Sequence, residues 1–394
     1  MQTLVKDIVI IGSGVAGSTC AFLLKQNGYN VVVLEKSEQI GGRIYTKNSG
    51  SNTTELGARW VHDVSNTDPK SHLILKLVEM CGIKWNIIRD IVPFKIENKQ
   101  HNLDITLPYQ FARDRHYKNS IFHEAFCSDD NGFPTAYFNE DKNKDPDQLK
   151  DKSDYFVKDG YIKLINGLLK NIDVRCNHFV IKCNYQKNKQ LYTIICSNKT
   201  IFISKYVVIT SPPNASLSIK MQPLLPKPIC KIFKNMCMCH LQQAVYTFKH
   251  RIWDKNGKWW IDPLCSRPST LIGEKLLFLP YTSQIIYWWW TWKYTPFESE
   301  TIFNRGALLI QKALSNTNIF ENNFLHFEHS DWKESYSCGD DTSNRRKLQM
   351  PLNNGKLFLA GEHTSTKRYG FVDGAAESGI RVAELIYKQT HIPD

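Results

Sequence analysis

The segment Asp7–Arg43 reads DIVIIGSGVAGSTCAFLLKQNGYNVVVLEKSEQIGGR and predicts how the rest of the chain is organised. Ile8–Ile11 and Asn30–Leu34 are short, apolar and rich in β-branched residues, as is typical of strands buried on both faces of a parallel sheet. Between them, Ser18–Gln26 has the composition of a helix, and Gly28 follows at the place where helices commonly end. The segment therefore predicts a strand–helix–strand unit.

The turn between the first strand and the helix has the pattern G-x-G-x-x-G, which includes Gly12, Ser13, Gly14, Ala16 and Gly17. The first glycine makes a tight turn, the second lets the backbone approach a pyrophosphate, and the third lets the helix pack closely on the strand. The N-terminus of the helix offers free N–H groups and a positive dipole end to phosphates. We predict a nucleotide site here; the alternative is a turn with a structural role only.

Charged residues follow the second strand. Glu35 ends that strand, where a carboxylate accepts hydrogen bonds from ribose hydroxyls and repels a 2′-phosphate. Lys36 is assigned to the same site. Gly42 lets the backbone come close to a ligand, and Arg43 can clamp an anionic group. These residues alone do not distinguish NAD from FAD.

The composition is typical of a large globular protein. The chain has 394 residues, 42% of them hydrophobic, which is enough for a large core. The formal net charge is +12, but the basic residues are scattered, so we expect a solvated surface and no nucleic-acid partner. Eleven cysteines without zinc-like spacing indicate a reduced, cytoplasmic protein with no metal site. No stretch approaches the roughly 18 apolar residues of a membrane span, so we expect no membrane partner.

Further elements are predicted from periodicity and apolar runs. The predicted helices are Ser71–Cys81, Gly160–Leu169, Glu300–Ser315 and Val372–Lys388. The predicted strands are Val174–Val180, Gln190–Cys196 and Thr200–Ile203 as an antiparallel set, with Lys205–Pro213 and Lys356–Gly361 as buried strands. Lys142–Asp159 is charged and is predicted to be a surface loop. In YWWWTW (Tyr287–Trp292), alternation places Trp288, Trp290 and Trp292 on one face of a strand and Trp289 on the other.

Four motifs occur in a fixed order along the chain: the G-x-G-x-x-G turn with the GGR that ends at Arg43, then ELGARWVH (Glu55–His62), then VRCNHFVIKC…KYVVITSPP, and finally GEHTS…GFVDGAAESG, which ends at Gly379. Together they resemble the flavin-containing amine oxidases: monoamine oxidases, polyamine oxidases and lysine-specific histone demethylases. The resemblance covers about half of the chain, and renalase-like relatives of this fold are also similar.

The resemblance implies a fold and a division into domains. We expect an α/β protein in which a Rossmann-like FAD-binding domain is interleaved with a mixed-sheet, α+β substrate domain. The FAD-binding domain would comprise residues 1–75, 155–215 and 323–394. The substrate-binding domain would comprise residues 76–154 and 216–322.

The resemblance also implies where FAD binds. The glycines of the first turn would lie at the pyrophosphate and Glu35 at the adenosine ribose, with Arg43 at the phosphates or ribose. The other implied contacts are Ala58, Arg59 and Trp60 beside the isoalloxazine, Val180 at the adenine, Glu362 at the pyrophosphate or ribityl chain, and the Val372 N–H at the flavin pyrimidine ring. A helix that starts near Val372 would point its positive end at that ring and stabilise negative charge there.

Two positions depart from the family pattern. Gln243 stands where most of these oxidases have a lysine that holds a water near the flavin, and Lys249 is expected to be solvated. Phe371 matches one of two aromatic residues that flank the substrate nitrogen in monoamine oxidases. Asp341 matches the other, and it could be a carboxylate wall of the pocket or a surface turn residue. Gln243 and Phe371 are therefore the predicted catalytic residues.

Asp340 matches the position of the flavin-linked cysteine. Because Cys338 lies two positions earlier, we expect it to be a free thiol and FAD to be bound non-covalently.

The resemblance implies oxidation of an amine C–N bond by hydride transfer to flavin, with O2 reduced to H2O2. The expected partners are a small-molecule amine and molecular oxygen. Two alternatives stay open: a renalase-like oxidase of a non-amine hydride donor, and a flavin-binding protein without catalysis.

Overall fold

The computed structural model describes residues 3–49, 52–65, 67–89, 91–98, 101–108, 152–255, 258–259, 272–279, 282–291, 296–314, 317–338 and 342–391. The predictions for Trp292, Asp340 and Asp341 lie outside the described residues. Among the helices within these ranges, none is both long enough and apolar enough to cross a membrane.

The bounds of the elements follow in chain order. The strands are β1 (Thr3–Ile11), β2 (Val31–Leu34), β3 (Thr46–Ser49), β4 (Asn52–Glu55), β5 (Trp60–Ser65), β6 (Ile87–Arg89), β7 (Ile91–Asn98), β8 (His101–Pro108), β9 (Lys152–Val157), β10 (Asp173–Arg175), β11 (Val180–Gln186), β12 (Leu191–Cys196), β13 (Ile201–Ile209), β14 (Lys220–Gln222), β15 (Cys237–Phe248), β16 (Asp254–Lys255), β17 (Lys258–Trp259), β18 (Ile272–Phe278), β19 (Gln284–Thr291), β20 (Phe324–Cys338) and β21 (Leu357–Leu359). The α-helices are α1 (Val15–Gln26), α2 (Leu73–Met80), α3 (Ile162–Leu168), α4 (Pro213–Leu217), α5 (Lys227–Asn235), α6 (Ser299–Leu314), α7 (Thr317–Asn323), α8 (Thr342–Gln349) and α9 (Val372–His391).

The N-terminal unit builds the centre of a large sheet. Within the described residues this sheet has eight strands in the order β10-β2-β1-β13-β12-β11-β14, with β21 beside β13. β1 pairs in parallel with both β2 and β13, and β21 continues the parallel set. The strand–helix–strand prediction and the α/β fold class are therefore confirmed.

Side chains of β1 alternate between two buried clusters, because successive residues of a strand point to opposite faces of its sheet. Ile8 and Ile10 pack with residues of α1 and α9. Val9 and Ile11 belong to the cluster on the opposite face, which includes residues of β11, β12 and α5. On α9, a Cβ on Gly379 would lie 2.4 Å from the Ala16 carbonyl oxygen. The absence of that Cβ lets α9 pack directly on α1.

Three sequence predictions in this region are wrong in detail. Val174–Val180 is not one strand: β10 pairs with β2, a turn follows in which Asn177 has φ +56°, and β11 starts at Val180. Thr200–Ile203 and Lys205–Pro213 are one continuous strand, β13, because its first half pairs with β12 and its second half with β21. The predicted surface loop contains β9, which pairs with β5 and β6.

A second sheet carries the tryptophan-rich segment. Its four strands, counted within the described residues, have the antiparallel order β18-β19-β15-β20. On one face Tyr246 and Trp289 pack against Ile302 of α6. On the other face Trp288 packs with Val245 and Ile286, so the predicted alternation of the tryptophans is correct for the described ones.

Smaller sheets complete the described structure. They are the hairpin β3–β4, the sheet β5-β9-β6 and the sheet β16-β17-β7-β8. The division into two domains stays a proposal, and strand pairing crosses its boundaries at several places, including the pairing of β6 with residues 155–157 of β9. β14 pairs with β11 of the large sheet, and β20 pairs with β15 of the second sheet.

Candidate active site

A cavity of about 550 Å³ lies between the large sheet and the second sheet. Its walls come from the ends of β1 and β2, residues 41–44 and 57–60, the start of α9, and the inner faces of β15, β19 and β20. The volume is within the range of small-molecule and cofactor sites. All the predicted site residues line this cavity except Gly17.

The three glycines of the first turn have different surroundings. Gly12 has φ +108°, and a Cβ on it would lie 2.6 Å from the Thr210 hydroxyl. A Cβ on Gly17 would lie 2.1 Å from the Gly12 carbonyl oxygen, so Gly17 allows the close packing of helix and strand expected of the third glycine, and it does not line the cavity. A Cβ on Gly14 would meet only the Gly41 carbonyl oxygen, at 3.8 Å, and this backbone is therefore open to a ligand.

The Glu35 carboxylate is held by two serines next to this turn. The backbone N–H and hydroxyl of Ser13 donate to Oε2 at 3.0 and 2.6 Å. The N–H and hydroxyl of Ser37 donate to Oε1 at 3.0 and 2.8 Å. These four bonds fix the carboxylate at the cavity wall and use all four of its lone-pair sites, so a ligand hydroxyl would have to replace one of the serine hydroxyls.

Residues from the turn before β11 close the same end of the cavity. The His178 N–H donates to the Glu35 carbonyl at 2.8 Å, which places His178, Phe179 and Val180 beside β2. The Lys36 ammonium lies 5.1 Å from the centre of the Phe179 ring, a cation–π contact. We call this part of the cavity, from the first turn to Val180, the glycine-rich end.

An ion pair lies in the middle of the cavity wall. Arg43 donates to the Glu362 carboxylate at 2.8 Å and to the Ser335 carbonyl at 2.8 Å. Glu362 also accepts hydrogen bonds from the Ser337 hydroxyl at 2.6 Å and from the Gly370 N–H at 2.7 Å. Burial alone would raise the pKa of Glu362, but Arg43, His363 and Ser337 together lower it to about 2. The carboxylate is therefore charged at neutral pH.

Arg59 is fully buried beside the cavity. Its guanidinium donates to the Glu55 carbonyl at 2.6 Å and lies 5.3 Å from the Trp60 ring. Burial lowers the pKa of Arg59 to about 9, although the nearby Glu55 carboxyl opposes that shift. Burial likewise raises the pKa of Glu55 to about 7. Ala58, the residue before Arg59, lines the cavity.

Aromatic side chains form the opposite part of the cavity. Trp60 and Trp288 meet edge to face, with ring centroids 5.9 Å apart, and His62 meets Phe371 in the same way at 5.3 Å. The Arg368 guanidinium lies 4.6 Å from the centre of the Phe371 ring. Together with Gln243, the lining side chains here are Trp60, His62, Trp288, Trp290, Trp332, Tyr336 and Phe371. We call this part the aromatic end.

Gln243 lies at the aromatic end and is almost fully buried. Its Nε2 donates to the Glu55 carbonyl at 2.7 Å, and its Oε1 accepts from the Trp288 indole at 2.8 Å. The pairing of β15 with β19 places Gln243 directly opposite Trp288. One N–H and one lone pair of the carboxamide remain available to a water or a substrate.

The sequence reasoning missed one pair of polar residues at the aromatic end. His62 Nδ1 lies 3.0 Å from the carboxylate of the buried Asp154, which also accepts the Asp63 N–H at 3.0 Å. His62 is part of the quoted motif ELGARWVH, but its partner lies on β9, inside the segment predicted as a loop. The carboxylate holds the imidazole by Nδ1 and leaves Nε2 as its second polar atom.

Other residues singled out in the sequence lie elsewhere. Cys338 is buried at the end of β20 and belongs to a cluster with Cys239 and Trp290. The Lys249 ammonium donates to the Asn322 carbonyl at 2.9 Å at an exposed strand end, as expected for a surface lysine. The signal that could have found Tyr336 is its alternation with Glu334 and Trp332 along β20, since all three line the cavity.

The cavity fits an extended dinucleotide such as FAD. At the glycine-rich end, Gly14 leaves open backbone beside the N-terminus of α1, and Lys36 and Arg43 add positive charge for phosphates. At the other end, α9 begins at Val372, and Val372 and Ala375 of its first turn line the cavity. Its positive dipole end is therefore directed at whatever group lies between the two ends.

Comparison with known proteins gives the family. The family model described as flavin-containing amine oxidoreductase matches residues 94–387, and one for an NAD(P)-binding Rossmann-like domain matches residues 10–76. The chain is 21% identical to a flavin-containing amine oxidase of Oncorhynchus mykiss, over 98% of the chain and 87% of that protein. It is 24% identical to polyamine oxidase 3 of Oryza sativa subsp. japonica, over 95% of the chain and 88% of that protein.

Solved structures show the same fold. Wild-type putrescine oxidase bound to putrescine aligns with a TM-score of 0.68 at 15% identity, covering 98% of this chain and 99% of that one. Cyclohexylamine oxidase from Brevibacterium oxydans IH-35A aligns with a TM-score of 0.68 at 14% identity and the same coverage. Since the family model spans most of the chain, this protein belongs to the family of flavin-containing amine oxidoreductases and is an FAD-dependent oxidoreductase of the amine oxidase type.

Proposed function

We propose that the protein oxidises a small amine with one apolar, ring-sized substituent, and that this substrate binds at the aromatic end of the cavity. The observation that carries the proposal is the composition of that end. Most of the described residues that line it are aromatic, which favours an apolar substituent on the substrate. A second cationic group, as in a polyamine, would need an acidic partner, and Glu334, which also lines the cavity, accepts a hydrogen bond from the Asn214 N–H at 3.1 Å.

FAD would occupy the rest of the cavity without a covalent link. The residues proposed to hold it are Gly12, Ser13, Gly14 and Ala16 at the first turn, Glu35, Lys36 and Val180 at the glycine-rich end, Gly42, Arg43, Ala58, Arg59 and Trp60 along the wall, and Glu362 and Val372 near the start of α9. FAD supplies the chemistry by accepting a hydride from the carbon next to the amine nitrogen and reducing O2 to H2O2. Water then hydrolyses the resulting imine.

The protein's own part in this reaction is to orient the amine and to take up its proton. Hydride loss requires an uncharged nitrogen, whereas most free amines are protonated at neutral pH. With Nδ1–H donated to Asp154, the Nε2 of a neutral His62 carries a lone pair that can accept that proton. We propose His62 as this base and Asp154 as its positioning residue.

Gln243 and Phe371 keep their predicted roles as residues that touch the substrate. Phe371 would form one wall beside the reacting nitrogen. Trp288 and Tyr336 are the aromatic residues proposed for the opposite wall, in the place where the resemblance pointed to Asp341. The Gln243 carboxamide would hold a water by its remaining N–H and lone pair, and it brings no charge to the site.

The test is an anaerobic screen in which the absorbance of bound flavin is followed with three kinds of compound. We expect an arylalkylamine such as benzylamine to bleach the flavin faster than putrescine or spermidine. Bleaching by a dihydropyridine without any response to amines would support the renalase-like alternative. Bound flavin that no donor reduces would support a flavin-binding protein without catalysis.

The location of the protein is also a proposal. The cysteines that the structure describes are free thiols, which suits the reducing cytoplasm. Fractionation of cells that express the tagged protein would test this location. Recovery of the protein in the secreted or membrane fraction would contradict a cytoplasmic location.

A further inference from the structure

Two cysteines lie directly opposite each other on neighbouring strands of the second sheet. Cys237 is the first residue of β15, Cys338 is the last residue of β20, and the antiparallel register pairs them. Residues that face each other in such a pair have Cα atoms about 4.5–5.5 Å apart. Disulfides span Cα distances of about 4.4–6.8 Å, so the register alone brings this pair into bonding range.

The two thiols also point to the same face of the sheet. Cys237 and Cys239 are two residues apart on β15, and opposite them Cys338 and Tyr336 are two residues apart on β20. Cys239 and Cys338 are buried in one cluster with Trp290, whereas Cys237 is exposed. One thiol of the pair is therefore accessible to solutes, and its partner is protected.

The thiols of Cys237 and Cys338 differ in their pKa values. The neighbouring Cys338 thiol lowers the pKa of Cys237 to about 7 against the opposing effect of burial. Burial, together with the nearby Cys237 sulfur, raises the pKa of Cys338, whose thiol donates to the Tyr336 carbonyl at 3.8 Å. Burial also raises the pKa of Cys239 to about 12. The exposed sulfur of Cys237 is thus the one that carries thiolate character near neutral pH.

We propose that Cys237 and Cys338 form an oxidisable dithiol, a modification site at which hydrogen peroxide generates a disulfide between β15 and β20. The Cys237 thiolate attacks one oxygen of H2O2, becomes a sulfenic acid and releases hydroxide, which takes up a proton to form water. The Cys338 thiol then attacks the Cys237 sulfur, and its proton leaves with the sulfenic hydroxyl as a second water. In sum, two thiols and one H2O2 give one disulfide and two H2O.

The site is connected to the cavity through β20. Tyr336 lines the aromatic end, and the Ser337 hydroxyl donates to Glu362 at 2.6 Å. A disulfide at Cys338 would fix the end of the strand that carries both residues. The dithiol thus lies at the end of a strand that lines the cavity, and peroxide produced there would be its oxidant. Only this source of peroxide rests on the proposed function, because the thiol chemistry itself needs no flavin.

The experiment uses the purified full chain, reduced and then treated with added hydrogen peroxide. Remaining thiols are blocked with N-ethylmaleimide, and the protein is digested without reductant and analysed by mass spectrometry. We expect a linked pair of peptides that contains Cys237 and Cys338, and an intact mass lower by about 2 Da before blocking. The variant Cys338→Ser is expected to lose the link and to leave a sulfenic acid on Cys237 that dimedone captures.

Two further variants complete the test. Cys237→Ser should abolish both the link and the capture by dimedone. Cys230→Ser is the matched control, because Cys230 is a partly buried thiol on α5 bonded to the Leu225 carbonyl, and the link should persist there. The proposal is overturned if peroxide leaves both thiols open to alkylation, or if it links either to another cysteine instead. Because the peroxide is added, a link in protein that oxidises no amine would contradict the proposed function alone.

Discussion

The Gln243 carboxamide accepts a hydrogen bond from the Trp288 indole at 2.8 Å, across the pair of strands that forms the inner face of the second sheet. Its other end donates to the Glu55 carbonyl at 2.7 Å, in the segment that leads to β5. One side chain therefore ties the aromatic end to the wall that carries Arg59 and Trp60. A lysine in the same place could donate to Glu55, but it could not accept from the indole.

Replacing Gln243 by leucine removes both bonds and keeps a buried side chain of similar size. We expect the free energy of unfolding to fall by about 1–3 kcal/mol, since the buried Trp288 indole loses its hydrogen-bond acceptor. Urea denaturation of the flavin-free protein measures this. Lys249→Met, at an exposed end of the same sheet, should change the value by less than about 0.5 kcal/mol. An unchanged midpoint for the leucine variant would contradict the described geometry.

Gly14→Ala and Gly17→Ala should separate ligand binding from folding. A Cβ at position 14 meets only a carbonyl oxygen at an ordinary 3.8 Å, so that variant should fold with a near wild-type melting temperature. Its methyl group would occupy the space proposed for the pyrophosphate, and FAD affinity should fall by roughly tenfold or more. A Cβ at position 17 would lie 2.1 Å from backbone, so that variant should yield little folded protein.

Fluorescence titration of flavin-free protein with FAD, beside a thermal melt of each variant, checks both parts of this prediction. Wild-type FAD affinity in Gly14→Ala would show that the nucleotide does not lie against this turn.

Glu362 makes the free energy of unfolding depend on pH in the acidic range. Its pKa falls from 4.5 to about 2 on folding, so its contribution to stability is present above about pH 4.5 and is lost as pH decreases toward 2. We expect roughly 2 kcal/mol of this contribution to disappear between pH 5 and pH 3. Glu362→Gln should show a shallower loss of stability over that interval. The exposed Glu384→Gln on α9 should follow the wild type, and equal slopes in all three proteins would refute the prediction.

Phe371 should affect substrate binding more than flavin binding. Its ring lies between the Arg368 guanidinium at 4.6 Å and the His62 ring at 5.3 Å, so its position is fixed on both sides. Phe371→Ala should raise KM for an arylalkylamine by roughly tenfold through the loss of apolar and ring contacts. Steady-state peroxide release measures this, with Leu308→Ala on the exposed side of α6 as the control. A fall in FAD affinity with unchanged KM would assign Phe371 to the cofactor instead.

His62→Gln and Asp154→Asn should change how the reaction depends on pH. If His62 accepts the amine proton, the glutamine variant should reduce bound flavin at least roughly a hundredfold more slowly at neutral pH. That defect should diminish at high pH, where the free amine is already uncharged. Asp154→Asn should show a smaller defect of the same kind. A defect that is constant across pH would give His62 a packing role only.

Much of the fold could be predicted from local pattern. The strand–helix–strand unit, α9 and the alternation of Trp288 with Trp289 each follow from a short-range period in the sequence. The sequence predicts two strands in place of β13 because Ser204 and Lys205 interrupt its apolar run, although Ser204 is buried where β13 pairs with β12. The sequence predicts a loop in place of β9 because the residues before it are charged, and this strand depends on pairing with β5 and β6.

The candidate site shows the same limit. Its glycines and acids could be named from motifs, because each acts within a few residues of its own turn. Asp154 could not be named, since it becomes relevant only when β9 pairs with β5 and brings it to His62. The opposition of Cys237 and Cys338 likewise depends on the register between β15 and β20, two strands that are distant along the chain.

β13 pairs along its length with β1 on one side, while the other side is shared between β12 and β21. During synthesis the first two partners are available as soon as β13 emerges, but β21 follows only after the entire second sheet has been made. The backbone groups of Val207–Ile209 that pair with β21 therefore stay unpaired until β21 has been synthesised. These residues lie in the part of the sheet that carries the glycine-rich turn. Long-range pairing of this kind slows folding and exposes nascent chains to association. We therefore expect a newly made chain to bind its cofactor only after β21 has been synthesised and has paired with β13.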